Sequence, residues 1–250
     1  MVQVTVARGV ATLKLDSPAN RNALTRTMRG QLRAALIDAL ADDAVRVVVL
    51  DHTGRVFCSG MDLTEAAGGG AQDQGVREFP ELLELIWSAP KPVVAVVRGP
   101  ARAGGIGLLA VCDVVVAGTS ATFAFTEVRI GVVPAVISAV VLPRMLPHVA
   151  HRLMLTGQLF DADTAAGGGL VDLVVPDADV DGEVRAQLVH LTAGAPTALA
   201  ETKRLLRAGR RLEVESLLEL SARFFASEEG QEGIASFREK RAARWVPRGD

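Results

Sequence analysis

The chain has 250 residues, of which 49% are hydrophobic, and its 27 basic and 29 acidic residues give a formal net charge of -2. This length and apolar content allow one large core without cross-links, and the balanced charge, with no basic run interleaved with aromatic residues, argues against a nucleic-acid partner. The two cysteines, Cys58 and Cys112, lack the spacing of a disulfide framework or a zinc site, so we expect buried, reduced thiols.

The first fifty residues predict a hairpin, a helix and a strand. Apolar and polar residues alternate over 2–7 and 10–16, which is typical of two strands joined by a tight turn. From Thr25 onward, apolar residues recur at helical spacing. The continuous apolar run over 45–50 then predicts a buried strand.

The same alternation of helix and strand continues along the chain. A helix is predicted over 79–87, a strand over 93–97, a short apolar helix ending at Val111 after a glycine-rich turn, and a strand over 114–117. Helices that alternate with buried strands indicate a mostly parallel sheet, and therefore an α/β fold.

From about residue 139 the pattern is helical, with 170–175 as the one exception. Three helices are predicted over 196–242, rich in Arg and Glu on one side and in Leu or Phe on the other. We therefore divide the chain into a core domain, 1–195, and a C-terminal helical region, 196–250.

Two segments are rich in glycine. The first, 66–75 (AAGGGAQDQG), buries little and predicts a surface loop, with a substrate-gating segment as the alternative. The second, 167–169, lies between a helix and the strand at 170–175 and predicts a turn.

Three segments that follow predicted strands carry the candidate chemistry: 55–63, 98–107 and 123–131. Parallel sheets bind ligands at the carboxyl ends of their strands. Small residues in 98–107 precede a helix, whose first turn leaves backbone N–H groups free to bind an anion. The glycine spacing matches neither the dinucleotide fingerprint nor the phosphate loop, which argues against a nucleotide cofactor.

Glu127 is the carboxylate in the third of these segments. A lone glutamate is commonly exposed or ion-paired, and Arg129 is available nearby. Apolar walls from Phe123, Phe125 and Val133 would instead raise the pKa of the Glu127 carboxyl, which could then hold or release a proton near neutral pH.

Together the segments resemble the enoyl-CoA hydratase/isomerase family, also called the crotonase superfamily, over nearly the whole chain. The similar motifs are Asn20-Arg21-Asn22-Ala23-Leu24, FCSGMDL at 57–63, Gly104-Gly105 followed by Cys112-Asp113, and GIASFREKR at 233–241. The resemblance implies a crotonase-like (ClpP/crotonase) spiral of ββα repeats with a C-terminal helical trimerisation region. It also implies a homotrimer or a dimer of trimers.

The resemblance further implies the catalytic groups. The backbone N–H groups of Met61 and Gly104 would form an oxyanion hole that stabilises the enolate of an acyl-CoA thioester. The family's hydratases use two glutamates, and the matching positions here are Gly107 and Glu127. Glu127 would therefore be the single general acid/base, and Gly107 is otherwise a close-packing glycine.

No metal and no permanently bound cofactor are expected, because the coenzyme A thioester is the substrate. Lysine and arginine would meet its phosphates. Phe237 and Lys240 would approach from the terminal helix of the same or a neighbouring subunit. The residues expected along the coenzyme A path are Arg21, Ala23, Ser59, Met61, Asp62, Leu63, Phe237 and Lys240.

Several functions remain open. The chain would hydrate a 2-enoyl-CoA, branched ones included, or isomerise a 3-enoyl-CoA to a 2-enoyl-CoA with Glu127 alone, or bind acyl-CoA with little turnover. A hydrolase, dehalogenase or carbon–carbon cleaving enzyme would need an added polar residue, for which Ser138, His148 and His151 are candidates. The N-terminus has no signal-like pattern and no apolar run reaches about 18 residues, so we expect a cytoplasmic protein without a membrane partner.

Overall fold

The structure, a computed structural model, describes residues 1–62, 65, 78–208 and 227–246, without the side chains of residues 237 and 238. The predicted hairpin forms from β1 (Val2–Ala7) and β2 (Val10–Leu15). Helix α1 (Arg26–Ala41) begins after Thr25, whose hydroxyl accepts a hydrogen bond from the Met28 N–H at 3.1 Å. This cap satisfies one of the free donors of the first turn.

Two sheets contain the described strands. Those after the hairpin are β3 (Val47–His52), β4 (Val93–Val97), β5 (Ala101–Arg102), β6 (Val114–Gly118), β7 (Thr122–Ala124), β8 (Phe160–Asp161) and β9 (Leu173–Val175). The large sheet has the order β1-β2-β3-β4-β6-β9, and all its neighbours except β1 and β2 are parallel. The prediction of a mostly parallel sheet is confirmed.

Helices separate β2, β3, β4 and β6 along the chain, as predicted. After α1 they are α2 (Glu78–Trp87), α3 (Gly104–Val111), α4 (Ala135–Arg144), α5 (Pro147–Thr156), α6 (Ala162–Gly167), α7 (Val180–Ala193), α8 (Pro196–Arg207) and α9 (Glu228–Glu239). Within the described ranges, no helix has both the length and the apolar character needed to cross a membrane.

Three predictions about where strands and helices lie differ from the structure. β3 begins two residues later than predicted, because its parallel pairing aligns it with the whole of β2. α4 begins at Ala135 rather than near 139. The prediction that 170–175 is the one non-helical part after 139 is wrong, because β8 pairs with β7 through Phe123 and Phe160.

Other predictions fall partly outside the described residues. The glycine-rich segment 66–75 lies there, as does 209–226 between α8 and α9, so the third C-terminal helix is not tested. The turn at 167–169 is confirmed, since α6 ends at Gly167 and Gly169 has a φ of 86°.

Two strand–strand–helix units position the loops that carry the candidate chemistry. β4 is followed by β5 and α3, and β6 is followed by β7, a 3-10 helix (Glu127–Ile130) and α4. The second strands of the two units, β5 and β7, pair with each other in a small three-stranded sheet that β8 completes. The chain therefore leaves the large sheet at two neighbouring strands, β4 and β6, and enters the small sheet each time.

The central strands bury both of their faces, because alternate residues point to opposite sides. On one side Leu50 and Val97 belong to the large core that includes residues of α1, α2 and α3. On the other side Val49 and Val96 pack with Val180 of α7. This explains the continuous apolar runs, and each such side chain stabilises the fold by about 1.5–3 kcal/mol.

Both cysteines are buried free thiols, as predicted. Cys58 and Cys112 are each fully buried, and burial raises the pKa of each thiol to about 12. Both are therefore neutral at physiological pH.

Asp113, between α3 and β6, attaches α8 to the core. Its carboxylate accepts hydrogen bonds from the Val93 N–H at 2.8 Å, from Lys203 Nζ at 2.7 Å and from Arg207 Nη2 at 2.7 Å. Lys203 is buried, and this burial lowers the pKa of its ammonium group. The Arg207 guanidinium also lies 3.7 Å from the centroid of the Trp87 ring.

We expect Asp113→Asn to lower the free energy of unfolding by about 3 kcal/mol, because it leaves the buried Lys203 ammonium without its counter-charge. Asp172→Asn is the matched control. Asp172 also accepts hydrogen bonds from a strand N–H, that of Val115, and from Arg144, but its side chain is 43% exposed. Its loss should stay below about 1 kcal/mol. Urea unfolding followed by circular dichroism measures both, and equal losses would contradict the role of Asp113.

Candidate active site

Two loops from distant parts of the chain run side by side at the carboxyl end of β3. The Ser59 N–H donates to the Arg21 carbonyl at 3.1 Å, and the Leu24 N–H donates to the Gly60 carbonyl at 2.8 Å. These bonds join the segment before α1 to the segment that contains Met61.

Asn22 fixes the first of these loops from inside. Its side chain is fully buried, with Oδ1 accepting from the Ser17 N–H and Nδ2 donating to the carbonyls of Thr53 and Val56. Arg21 and Asn22 have φ values of 58° and 53°, a region that asparagine tolerates better than most residues. The buried side-chain amide of Asn22 therefore holds the backbone of this loop in its conformation.

A third loop runs from β4 to α3, and backbone contacts attach it to the loop that contains Met61. Cys58 and Ala101 form an isolated parallel bridge, and the Arg102 N–H donates to the Cys58 carbonyl at 2.9 Å. The segments that contain Met61 and Gly104 are thereby aligned.

The two segments also approach each other closely at Gly60, which has a φ of 92°. A Cβ added there would lie 3.0 Å from Ala103 Cβ and 3.4 Å from Gly104 N. Met61 is the next residue. Within the part of the chain that the structure describes, neither the Met61 N–H nor the Gly104 N–H donates a hydrogen bond. Two backbone donors on adjacent segments therefore have no partner among the described residues.

Ala103 gives the Gly104 donor its direction. It stands just before α3 with φ 46° and ψ -117°, a region that residues other than glycine seldom adopt. Its own N–H donates to the Ala124 carbonyl at 3.1 Å, in β7. This bond also ties the Gly104 donor to the strand that leads to Glu127.

Glu127 begins the 3-10 helix after β7 and is 9% exposed. Its Oε2 atom is buried and has no hydrogen-bond partner among the described residues. Burial raises the pKa of the Glu127 carboxyl above its ordinary value, as predicted from the apolar sequence around it.

Two residues expected to affect Glu127, Arg129 and Val133, do not have the predicted surroundings. Arg129 does not pair with it, because the Arg129 guanidinium donates to the carbonyls of Thr156 and Gly157 instead. Val133 is 76% exposed, unlike the fully buried Phe123 and Phe125. The carboxylate is therefore left without the cation that the sequence offered.

Gly107, at the position of the second glutamate in the family's hydratases, is a close-packing glycine, as its alternative interpretation held. A Cβ added there would lie 2.7 Å from Ile137 Cγ2 and 3.5 Å from the Phe79 ring. Both neighbours are buried. The space beside α3 at this position is filled with apolar atoms.

The residues expected along the coenzyme A path are partly brought together. The backbone contacts described above place the exposed Arg21 and the buried Ala23 in one loop, with the half-buried Ser59, Met61 and Asp62 in the loop beside it. Leu63 lies outside the described residues, and so does the side chain of Phe237.

The segment that follows the terminal helix α9 contacts the part of the fold before β3 and at the end of α7. Trp245, shortly after it, donates from Nε1 to the Ala193 carbonyl, and Arg46 donates to the Trp245 carbonyl. Arg46 precedes β3, whereas Ser59 follows its carboxyl end. Lys240 is exposed, and within the described residues no contact joins it to the Ser59 loop.

No hydrogen bond among the described residues joins the three further polar candidates to Met61, Gly104 or Glu127. Ser138 donates to the carbonyl of Ala135 in its own helix, and His148 and His151 are exposed on α5. Across the described ranges, His, Cys, Asp and Glu side chains form no group that could hold a metal ion.

Sequence reasoning missed Ile137 and the backbone of Ala103. Ile137 is thirty residues from Gly107, and an apolar residue in a helix gives no sign of the glycine that it will meet. The sequence gives no sign of the unusual conformation of Ala103 either, because alanine lacks the turn preference of glycine or asparagine.

Known proteins resemble this chain over its whole length. A family model described as enoyl-CoA hydratase/isomerase matches residues 5–248. The 2,3-dehydroadipyl-CoA hydratase of Escherichia coli is 33% identical, over 93% of this chain and 93% of its own. Among solved structures, an enoyl-CoA hydratase from Mycobacterium avium is 41% identical with a TM-score of 0.75, covering 98% of each chain.

An enoyl-CoA hydratase from Shewanella pealeana superimposes with a TM-score of 0.90 at 30% identity, over 98% of this chain and 95% of its own. This likeness agrees with the strand–strand–helix units and confirms the crotonase fold. The family model, the identities and the coverage together show that the chain belongs to the enoyl-CoA hydratase/isomerase family, whose members act on coenzyme A thioesters.

Proposed function

We propose that this chain moves a proton on the acyl part of an enoyl-CoA thioester, with Glu127 as general acid/base. The observation that supports this most is the unpartnered Oε2 of the buried Glu127, in a segment tied to the Gly104 donor through Ala103 and Ala124. A carboxyl group with a raised pKa and a free oxygen is suited to take up and return a proton near neutral pH.

The backbone N–H groups of Met61 and Gly104 are assigned to the thioester oxygen. Removing a proton next to the thioester carbonyl moves negative charge onto that oxygen. Fixed donors stabilise the charge as it develops, and the loss of one such donor typically costs about 3–4 kcal/mol. The backbone hydrogen bonds that join their segments would hold both donors before the substrate binds.

The packing at Gly107 favours double-bond isomerisation. Glu127 would remove a proton from C2 of a 3-enoyl-CoA, the electrons would pass to the thioester oxygen, and the same proton would return to C4 to give a 2-enoyl-CoA. This cycle needs one carboxyl group and no water. Ile137 and Phe79 fill the place from which a second glutamate would orient water.

Hydration of a 2-enoyl-CoA, branched substrates included, is the second candidate. It is favoured by the names of the relatives, which include a 2,3-dehydroadipyl-CoA hydratase. In this reaction the hydroxyl group of water adds to C3 and a proton adds to C2. Glu127 would have to position the water and deliver the proton without a second carboxylate.

For substrate binding we assign the loop residues Arg21, Ala23, Ser59 and Asp62, with Leu63, to the coenzyme A portion. Arg21 is exposed and able to meet a phosphate group. Phe237 and Lys240 would complete this path from a neighbouring subunit of a homotrimer or a dimer of trimers. The contacts of the C-terminal segment around Trp245 make approach from the same chain the less favoured route.

Glu127→Gln should lower kcat by at least about a hundredfold with little change in KM, because glutamine keeps the shape but cannot transfer the proton. The assay uses 2-enoyl-CoA and 3-enoyl-CoA in deuterated water, and locates deuterium and hydroxyl in the products. Glu84→Gln, an exposed glutamate on α2, is the control and should be unaffected. Full activity of Glu127→Gln in both reactions contradicts the proposal, and tight binding without any turnover by the wild type indicates a binding protein.

The raised pKa of Glu127 also predicts a pH-dependent stability. The folded state binds the carboxyl proton more tightly than the unfolded chain does, so stability falls as pH rises from the ordinary value of 4.5 through the raised one. Glu127→Gln should therefore have a higher Tm than the wild type at about pH 8, and the difference should vanish at about pH 4. Differential scanning calorimetry across this range measures it. A lower Tm for the variant at pH 8 would disagree.

Two helical glycines give a test of the packing at Gly107. Gly107→Ala should destabilise the fold by about 1–3 kcal/mol, because the new methyl meets Ile137. Gly30→Ala, in α1 with no atom within 4 Å of the added Cβ, should stabilise it by about 0.5–1 kcal/mol. Gly107→Ala should cost less in the Ile137→Ala background than in the wild type, which a double-mutant cycle measures. Additive effects in chemical denaturation would show that the two residues do not compete for space.

A further inference from the structure

Cys58 lies between the two segments that carry the donor N–H groups, and it is fully buried. Its backbone contacts the second segment twice. The Cys58 N–H donates to the Pro100 carbonyl at 3.4 Å, and the Cys58 carbonyl accepts from the Arg102 N–H at 2.9 Å. These bonds align the two segments. They do not fix the orientation of the peptide groups between Cys58 and Met61.

The Cys58 side chain contacts that turn directly. Its Sγ accepts a hydrogen bond from the Gly60 N–H at 3.4 Å. Gly60 has a φ of 92°, and the residue that follows it is Met61. A bond to the N–H of Gly60 restrains the orientation of the peptide plane just before the Met61 donor. Sulfur is a weak acceptor, so the restraint acts together with packing.

The same side chain also packs on the first turn of α3. A Cβ added to Gly105 would lie 2.8 Å from the Cys58 carbonyl oxygen, 2.9 Å from Cys58 Cβ and 3.2 Å from Sγ. Gly105 follows the Gly104 donor. One side chain thus touches the residue before the first donor and the residue after the second.

We propose that the Cys58 side chain is a positioning residue that holds the Met61 N–H and the Gly104 N–H at the separation needed to bind one thioester oxygen. This inference rests on the proposed function, in which those two groups form the oxyanion hole. Cys58 does not react with the substrate in this role. Its thiol remains protonated at physiological pH, since burial raises its pKa to about 12.

Cys112 provides a matched comparison. It is also a fully buried free cysteine, but it directly follows α3, and its thiol donates to the Leu108 carbonyl in the last turn of that helix at 3.2 Å. Cys112→Ala and Cys58→Ala remove the same atoms from equally buried positions. If the two variants differ in activity, the cause is therefore the position of Cys58 beside the donors and not the loss of core volume.

The first test measures hydrogen bonding to the thioester oxygen in the absence of turnover. Butanoyl-CoA labelled with carbon-13 at the thioester carbonyl is bound to each protein, and its carbonyl stretch is measured by infrared difference spectroscopy. Hydrogen bonds to the oxygen lower this frequency. We expect a clear lowering with the wild type and Cys112→Ala, a much smaller one with Cys58→Ala, and recovery with Cys58→Ser, whose hydroxyl oxygen accepts a hydrogen bond from Gly60.

The second test is kinetic. Cys58→Ala should lower kcat about tenfold or more with KM within about twofold, because displaced donors act mainly on the transition state. The pH profile should keep the wild-type midpoint, because Glu127 is untouched. If Cys58→Ala does not fold, Gly105→Ala presses a methyl group against Cys58 and should reduce the infrared shift in its place.

The outcomes separate the two proposals. Equal infrared shifts and equal kcat for Cys58→Ala and Cys112→Ala would overturn the role of Cys58 and leave the oxyanion hole intact. No lowering of the carbonyl frequency in the wild type would show that the donors themselves are assigned wrongly, which is a failure of the proposed function.

Discussion

Close approach of two backbone segments is the constraint on which this structure depends. The residues after β3 and those after β4 come so near that a side-chain carbon at Gly60 or Gly105 would press on the opposite segment. The parallel pairing of β3 with β4 brings the two segments together, and the bridge between Cys58 and Ala101 keeps them in register. The geometry of the donors is therefore a product of the sheet and its core.

Much of this was predictable from sequence where the signal is local. Alternating spacing predicts the hairpin and helical spacing predicts α1, whereas continuous apolar runs predict the parallel strands, because burial of one or both faces imposes these patterns directly. Strands of two or three residues, such as β5 and β8, carry no period and exist only through their partners. The same limit applies at the site. Glu127 and its apolar setting were visible, whereas the turn of Arg129 toward Gly157 was not.

Glu127 also shows how stability and reactivity oppose each other in this fold. A buried carboxylate without a counter-ion is costly to ionise, and a nearby arginine would remove that cost. Arg129 instead donates to the backbone at Gly157, where a glycine with a φ of 57° ends α5. The arginine thus contributes to helix termination, and the pKa of the Glu127 carboxyl stays raised.

The use of backbone donors has a consequence for how such a chain varies over time. In the proposed site Met61 supplies only its N–H, so its side chain is free to change as substrates change. Gly60 and Gly105 supply no donor, but a side-chain carbon at either position would press on the opposite segment. In alignments of related chains, position 61 should therefore vary, while these two glycines stay fixed.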